Sequence, residues 1–235
     1  MPDVVAMQRE YYRVTAEQYD CAHMAETEHE IALAFMFSMI DQLKIGSVLD
    51  VGSGTGRVLC GMKYAHANVH AIGVEPSAAL RKQGYAKGLR ADELIDGDVQ
   101  QLAFHDGEFD LVCAFAVLHH VPDPRRAVRE MLRVARKAVF ISDANNFGQG
   151  TILSRAIKQM LKAVGLWSIA DLIKTHGRGY SISEGDGISY SYSIFDDYRQ
   201  ISAHCTRVHL LSTAGTRSPN LYRSAAHVAL LGVKD

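Results

Sequence analysis

Residues 48–57 read Val48-Leu49-Asp50-Val51-Gly52-Ser53-Gly54-Thr55-Gly56-Arg57, a short buried-strand run passing into a glycine loop. Such a loop between a strand and a helix lets a ligand approach bare backbone. It also presents unpaired N–H groups at the positive end of the helix dipole. Dinucleotide enzymes use the same device with the spacing GxGxxG, whose third glycine lets helix and strand pack closely around a pyrophosphate. Here the glycines stand at 52, 54 and 56, and the third fingerprint position is Arg57. That spacing demotes the dinucleotide reading, and Asp50 just before the loop suits a ligand with a cationic group.

Outward from the loop, the chain alternates between two rhythms. Residues 57–66 read as helix, Val69–Val74 as strand, 77–87 as helix and Leu94–Ile95 as a short strand. Phe109–Phe115 is almost continuously apolar, as a strand covered on both faces should be. A helix over 124–135 starts after Asp123 as N-cap with Pro124 at its first position, and Ala138–Ser142 and 150–166 repeat the strand–helix pair. This alternation predicts βαβ units and a parallel sheet, hence an α/β fold. Upstream, 4–19 is helical and carries Tyr11, Tyr12 and Tyr19. Residues 26–43 form a second helix with an apolar stripe of Ile31, Phe35 and Met39, broadened by Leu33, Phe37 and Ile40, and Gly46 closes it. Residues 180–194 alternate with period two around Glu184-Gly185-Asp186-Gly187. They predict a β-hairpin with Tyr180, Ile182, Ile188, Tyr190, Tyr192 and Ile194 on one face. Val208–Leu211 and Ala226–Val233 supply two more strands.

Two acids complete the pattern. Glu75 ends the second strand, 23 residues after Gly52, where a carboxylate can accept both ribose hydroxyls. Asp98 follows the third strand another 23 residues on, where a carboxylate suits an adenine amino group. One loop and two acids at strand C-termini outline the crevice of an open α/β sheet.

Composition excludes other classes. The 235 residues hold 25 basic and 26 acidic side chains, a net charge of −1, so no polyanion such as DNA is expected to be held by bulk electrostatics. The cysteines at 21, 60, 113 and 205 form no CxxC pair and read as small hydrophobes in a reducing compartment. No run reaches the 18 or so apolar residues of a membrane span, and residues 1–12 lack the pattern of a signal peptide. A cytoplasmic protein with no membrane partner is expected.

The stretches DVGSGTGR (50–57), GVEPS (73–77), GDVQQLAF (97–104) and FDLVCAFAVLHHVPDP (109–124) resemble, in content and order, the motifs of class I S-adenosylmethionine-dependent methyltransferases. They are most similar to the small-molecule group that includes ubiquinone/menaquinone-type C-methyltransferases and natural-product O- and N-methyltransferases. The resemblance implies a Rossmann-like seven-stranded sheet in the order 3-2-1-4-5-7-6 with the last strand antiparallel. It also implies S-adenosylmethionine as cofactor and S-adenosylhomocysteine as product. Asp50, Gly52, Ser53 and Gly54 would line the methionine part, Glu75 with Pro76 the ribose, Asp98 with Val99 the adenine, and Ala114 with Phe115 the sulfonium. A single domain over 1–235 is expected: a helical lid (1–45), a cofactor-binding half (46–146) and a substrate-side half (147–235) with the hairpin inserted before strand six. Tyr12 and Tyr19 resemble lid tyrosines that close over the cofactor; plain core anchors are the competing reading.

Methyl transfer from a sulfonium is an in-line displacement that needs near-attack geometry, and a general base only when the acceptor arrives protonated. His119 and His120 after the fourth strand, and Asp143 at the end of the fifth, are the candidates for catalysis; packing or capping is the alternative role. The family's metal-dependent catechol branch has an acid after the fourth strand, which Ala114–Val117 does not supply. Asp143-Ala144-Asn145-Asn146 echoes that branch's Asp-Asn pair only loosely, so no metal is expected. The nucleic-acid branch has an (Asn/Asp)-Pro-Pro-aromatic turn that is also missing, so no nucleic acid is expected. Tyr190 and Tyr192 are candidate contacts for a small-molecule acceptor, with a self-packed hairpin or a homodimer contact as alternatives. The expected activity is methyl transfer to a small molecule, oxygen slightly favoured because a histidine pair is at hand. A non-catalytic relative and a nicotinamide-dependent oxidoreductase are the rivals.

Overall fold

The computed structural model describes residues 4–23, 27–214, 216 and 218–234. Helices α1 (Val4–Thr15), α2 (Tyr19–His23) and α3 (Thr27–Gln42) precede β1 (Ser47–Val51). There follow α4 (Arg57–Ala65), β2 (His70–Val74), α5 (Ala78–Ala86), β3 (Leu94–Ile95), β4 (Phe109–Phe115), α6 (Pro124–Val134) and β5 (Ala135–Ala144). Beyond them lie α7 (Ile152–Ala163), α8 (Trp167–Lys174), β6 (Ser181–Ser183), β7 (Gly187–Ser189), α9 (Tyr198–Ser202), β8 (Arg207–Ser212), α10 (Leu221–Ser224) and β9 (His227–Val233).

Seven strands form one sheet in the order β3-β2-β1-β4-β5-β9-β8. This is the expected order, with β8 and β9 as its sixth and seventh strands, and β9 runs antiparallel to both neighbours. Parallel register sets Val51 opposite both Val74 and Ala114, so the loops leaving β1, β2 and β4 emerge side by side at one edge. Alternation along β4 divides the core. Leu111 and Cys113 face α3 and α4, meeting Met36, Ile40 and Met62. Val112 and Ala114 face α6, meeting Val128 and Met131. Side-chain caps start several helices, including Ser77 on the Leu80 N–H (3.4 Å) and Asp123 on the Arg126 N–H (3.0 Å).

Several local expectations are corrected. The first helix stops at Thr15 and α2 starts anew at Tyr19. In α3 the buried line is His29, Ala32, Met36 and Ile40, with Leu33, Phe35, Phe37 and Met39 packed beside it; of the stripe read in the sequence Ile31 alone is exposed. An all-round apolar helix leaves its inward face undetermined by periodicity, and packing on the sheet selects it. The helix expected over 150–166 is shorter and is followed by α8 across Gly165, whose φ of 76° is left-handed. The hairpin keeps only three residues per strand and pairs Ile182 with Ile188. Residues 190–194 leave its ladder, which ends the common face, and Ile182 is exposed whereas Tyr180, Ile188, Tyr192 and Ile194 are buried. Among the described residues no helix is long and apolar enough to cross a membrane.

Candidate active site

The glycine loop turns sharply because three of its residues adopt left-handed backbone: Gly52 (φ 67°), Gly54 (φ 55°) and Gly56 (φ 81°). The Gly52 and Ser53 N–H groups donate to the Val74 carbonyl (2.8 and 3.0 Å), binding the loop to the end of β2. A Cβ on Gly52 would stand 2.4 Å from Val117 Cγ2, and one on Gly54 would meet the Tyr19 ring at 3.7 Å. The bare backbone is therefore a cradle.

Two buried carboxylates organise it. Ser53 Oγ donates to Asp50 Oδ2 (2.6 Å), with Cys113 Sγ 3.6 Å from Oδ1. Glu75 accepts the Gly54 N–H on Oε2 (3.0 Å) and the Ser77 N–H on Oε1 (2.7 Å). Burial pushes Asp50 and Glu75 each up to about 7, against the hydrogen bonds that favour their ionised forms. A cationic ligand group beside them would relieve that penalty, and each carboxylate keeps lone pairs for further donors. Pro76 is exposed. Asp98 is also exposed and accepts the Gln100 N–H (2.8 Å), while Val99 next to it is buried.

At the end of β4 the expectation shifts by one residue. Ala114 is sealed in the core, and the wall of the cavity is Phe115 with Ala116. Ala116 is itself left-handed (φ 55°) and donates its N–H to the Ser142 carbonyl (2.8 Å). A non-glycine in that conformation is uncommon, and no sequence pattern announces it.

The histidines follow in a single turn of 3-10 helix, Leu118–His120. His119 Nδ1 lies 2.7 Å from Asp143 Oδ1, and its Nε2 lies 3.4 Å from Asp186 Oδ2. His120 Nδ1 bonds the Ile188 carbonyl (2.6 Å), and its Nε2 lies 3.2 Å from Asp186 Oδ1. Burial opposes charge on His119, but Asp143 and Asp186 outweigh it and lift its pKa to about 10. Both ring nitrogens of His119 thus face carboxylates, the arrangement of a held ring that offers no free nitrogen to an acceptor. Asp143 is fully buried, accepts the Leu118 N–H (2.8 Å) and Ala144 N–H (2.6 Å) besides His119, and thus acts as a positioning residue. Tyr192 touches the cavity, but its buried hydroxyl donates to Asp197 Oδ2 (3.0 Å), which removes the hydroxyl from acceptor contact. Tyr190 remains on the wall, its N–H anchored on the His119 carbonyl (2.7 Å).

The N-terminal helices roof this arrangement. Gln8 accepts the Ile188 N–H (2.7 Å) and Tyr11 donates to the Glu184 carbonyl (3.0 Å), so α1 holds the hairpin. Asp20 on α2 accepts from Thr55 Oγ1 (2.6 Å) and pairs with Lys87 (2.5 Å), which fastens α2 over the glycine loop. Tyr12 sits edge-on to both Tyr19 (5.9 Å) and His120 (6.4 Å). The cavity beneath them is about 530 Å³ and runs from Gly52–Gly54 past Phe115 to His120, Asp186 and Tyr190. Its far wall, not foreseen from the sequence, carries Asn146, Lys174 and His227. These residues lie far apart in the chain and share no motif.

Comparisons with known proteins agree with this geometry. Residues 49–141 match the methyltransferase-domain family. The malonyl-[acyl-carrier protein] O-methyltransferase of Halorhodospira halophila is 30% identical over 130 residues, covering 54% of this chain and 43% of that enzyme. The ubiquinone biosynthesis O-methyltransferase of Escherichia coli is 30% identical over 111 residues, covering 46% of each. The chain thus spans less than half the length of these curated relatives. Among solved structures, the magnesium protoporphyrin IX methyltransferase of Synechocystis, with bound S-adenosylhomocysteine, superposes with a TM-score of 0.62 at 16% identity, covering 99% of this chain and 100% of that one. A methyltransferase from Thermotoga maritima gives 0.58 at 17% identity, covering 96% and 99%. At such identities the likeness speaks for the fold. Over residues 49–141 the chain is similar to the methyltransferase-domain family, and its motif order and sheet order match those of class I S-adenosylmethionine-dependent methyltransferases.

Proposed function

We propose that the chain moves a methyl group from S-adenosylmethionine to a small-molecule acceptor, with oxygen as the receiving atom. The observation that carries this reading is the cradle itself: a loop too tight for any Cβ at Gly52, set on two buried carboxylates and opening into the cavity that ends at His120 and Tyr190. Asp50, Ser53 and Gly52–Gly54 would hold the amino-acid end of the cofactor, Glu75 its ribose, and Asp98 with Val99 its adenine. When bound, the cofactor supplies an electrophilic methyl on a sulfonium. Phe115 and Ala116 shape the wall where the acceptor approaches, while Tyr12, Tyr19 and α1 keep water out. Holding nucleophile and methyl in line is the main contribution such a site can make, on the order of 7–11 kcal/mol.

His120 is the group placed to take a proton from a hydroxyl acceptor. Its Nδ1 bonds the Ile188 carbonyl (2.6 Å), which turns the ring so that Nε2 stands on the cavity wall beside Asp186 (3.2 Å). The O-methyltransferase names of the two curated relatives support oxygen as the receiving atom. Calorimetry of S-adenosylhomocysteine against the purified protein, with NAD and NADP alongside, tests the reading. Micromolar binding of the thioether alone is expected, about −8 kcal/mol, and a panel of hydroxyl and amine acceptors then assigns the atom. Binding of a dinucleotide alone would sink the proposal.

A further inference from the structure

We propose that His119, His120 and Asp186 form a site for one divalent first-row transition-metal ion, of the zinc class, at the acceptor end of the cavity. The site goes beyond the methyl-transfer reading and stands whether or not that reading holds. One ligand atom from each residue lies within 4.8 Å of the other two. The Asp186 oxygens stand 3.4 Å from His119 Nε2 and 3.2 Å from His120 Nε2. Two ligands about 2.0–2.1 Å from a tetrahedral zinc are themselves roughly 3.3 Å apart, so this spacing already suits a shared ion.

The groups behind the ligands make the stronger argument. A metal-bound histidine characteristically donates its other ring N–H to a carboxylate or a backbone carbonyl, which fixes the tautomer and aims the ligating nitrogen. Both arrangements occur here. His119 Nδ1 faces Asp143, a fully buried carboxylate held by two backbone N–H groups, and His120 Nδ1 faces the Ile188 carbonyl. Each ring is thereby turned so that its Nε2 points at the same carboxylate, with ring centroids only 4.0 Å apart. The ion would take the Nε2 lone pairs, any proton there leaving to solvent, and with the ion bound His120 Nε2 is a ligand and no longer the base.

Two imidazoles and one carboxylate favour zinc, cobalt, nickel or iron(II) over magnesium or calcium. Three protein ligands also leave a coordination position for water or an acceptor hydroxyl, on the wall of the cavity. The sequence expectation of no metal rested on the missing acid at 114–117. The structure brings an acid to the histidines from the hairpin turn instead, and α1 holds that turn in place through Gln8 and Tyr11.

Chelator-treated full-length protein, titrated with zinc by calorimetry and with cobalt by visible absorption, tests the site. One ion per chain is expected, with the ligand-field bands of nitrogen- and oxygen-bound cobalt. Asp186→Asn and His120→Ala should each weaken uptake at least tenfold while circular dichroism stays unchanged. S-adenosylhomocysteine titrated into Asp186→Asn separates the two proposals: retained binding with lost metal uptake supports both, and no thioether binding to wild-type protein touches only the methyl-transfer reading. Wild-type protein that takes up no stoichiometric ion, or variants that take it up unchanged, would overturn the site and leave the cluster an ion-paired latch.

Discussion

A single methyl group at Gly52 tests how closely the loop is built. Gly52→Ala puts a Cβ 2.4 Å from Val117 Cγ2 and forces a φ of 67° on an L side chain. The backbone conformation alone costs about 1–2 kcal/mol. Thioether affinity should fall more than tenfold and the melting temperature should drop, both readable on one purified variant; unchanged binding would mean the loop does not hold the ligand. The buried acids give a pH prediction of definite sign. Asp50 and Glu75 are pushed up to about 7 in the folded chain, so ionising them is unfavourable there, and their contribution to stability falls as pH rises from their ordinary range through 7. A ligand bearing an ammonium favours the ionised pair and releases protons on binding. S-adenosylmethionine affinity should therefore rise between pH 5.5 and about 7 and level off above; calorimetry in buffers of different ionisation enthalpy measures the proton release directly. His119 shows why residue identity alone does not settle chemistry: an imidazole free in water is here held between the Asp143 and Asp186 carboxylates, which push its pKa up.

Among the elements, the hairpin and α1 form one functional unit although their sequences lie at opposite ends of the chain. Tyr11 and Gln8 meet backbone groups at Glu184 and Ile188, and a Cβ on Gly187 would stand 2.6 Å from Gln8 Oε1. Gln8→Ala leaves the Ile188 N–H without this acceptor, a loss of about 1 kcal/mol for a typical hydrogen bond. Hydrogen exchange at Ile188 should speed up several-fold, and KM for the acceptor should rise more than kcat falls. Exchange unchanged from wild type would show that the hairpin is held by its own contacts. The tyrosine alternation announced a hairpin here, yet its extent was decided elsewhere. Residues 190–194 turn away to bury Tyr192 against Asp197 and Ile194 in the core, a burial worth more than continuing a two-stranded ladder.

At the scale of the molecule, ligand binding should appear as global stabilisation. Saturating S-adenosylhomocysteine at about 100 times its Kd adds about 2.7 kcal/mol. For a chain of this size that corresponds to a rise in melting temperature of roughly 5–10 °C, measured by differential scanning calorimetry at two ligand concentrations. A shift that does not grow with concentration would argue against a single site on the folded state.

The sheet order follows from the family resemblance of the motifs, and the alternating α/β layout, the glycine loop and the acids at the strand ends are legible in the residues alone. Each of these rests on local sterics or a short period: φ > 0 at Gly52 and Gly54, unbroken apolarity in Phe109–Phe115, one carboxylate per strand terminus. Folding in three dimensions is needed to see that Ile31 of α3 stays exposed, that Ala116 and not Ala114 lines the cavity, and that Asp143 supports His119. The tertiary structure alone also delivers Asp186 to the histidine pair. These are contacts between residues distant in the chain, and protonation and burial follow from the neighbours that folding assembles, which no periodicity along the chain encodes.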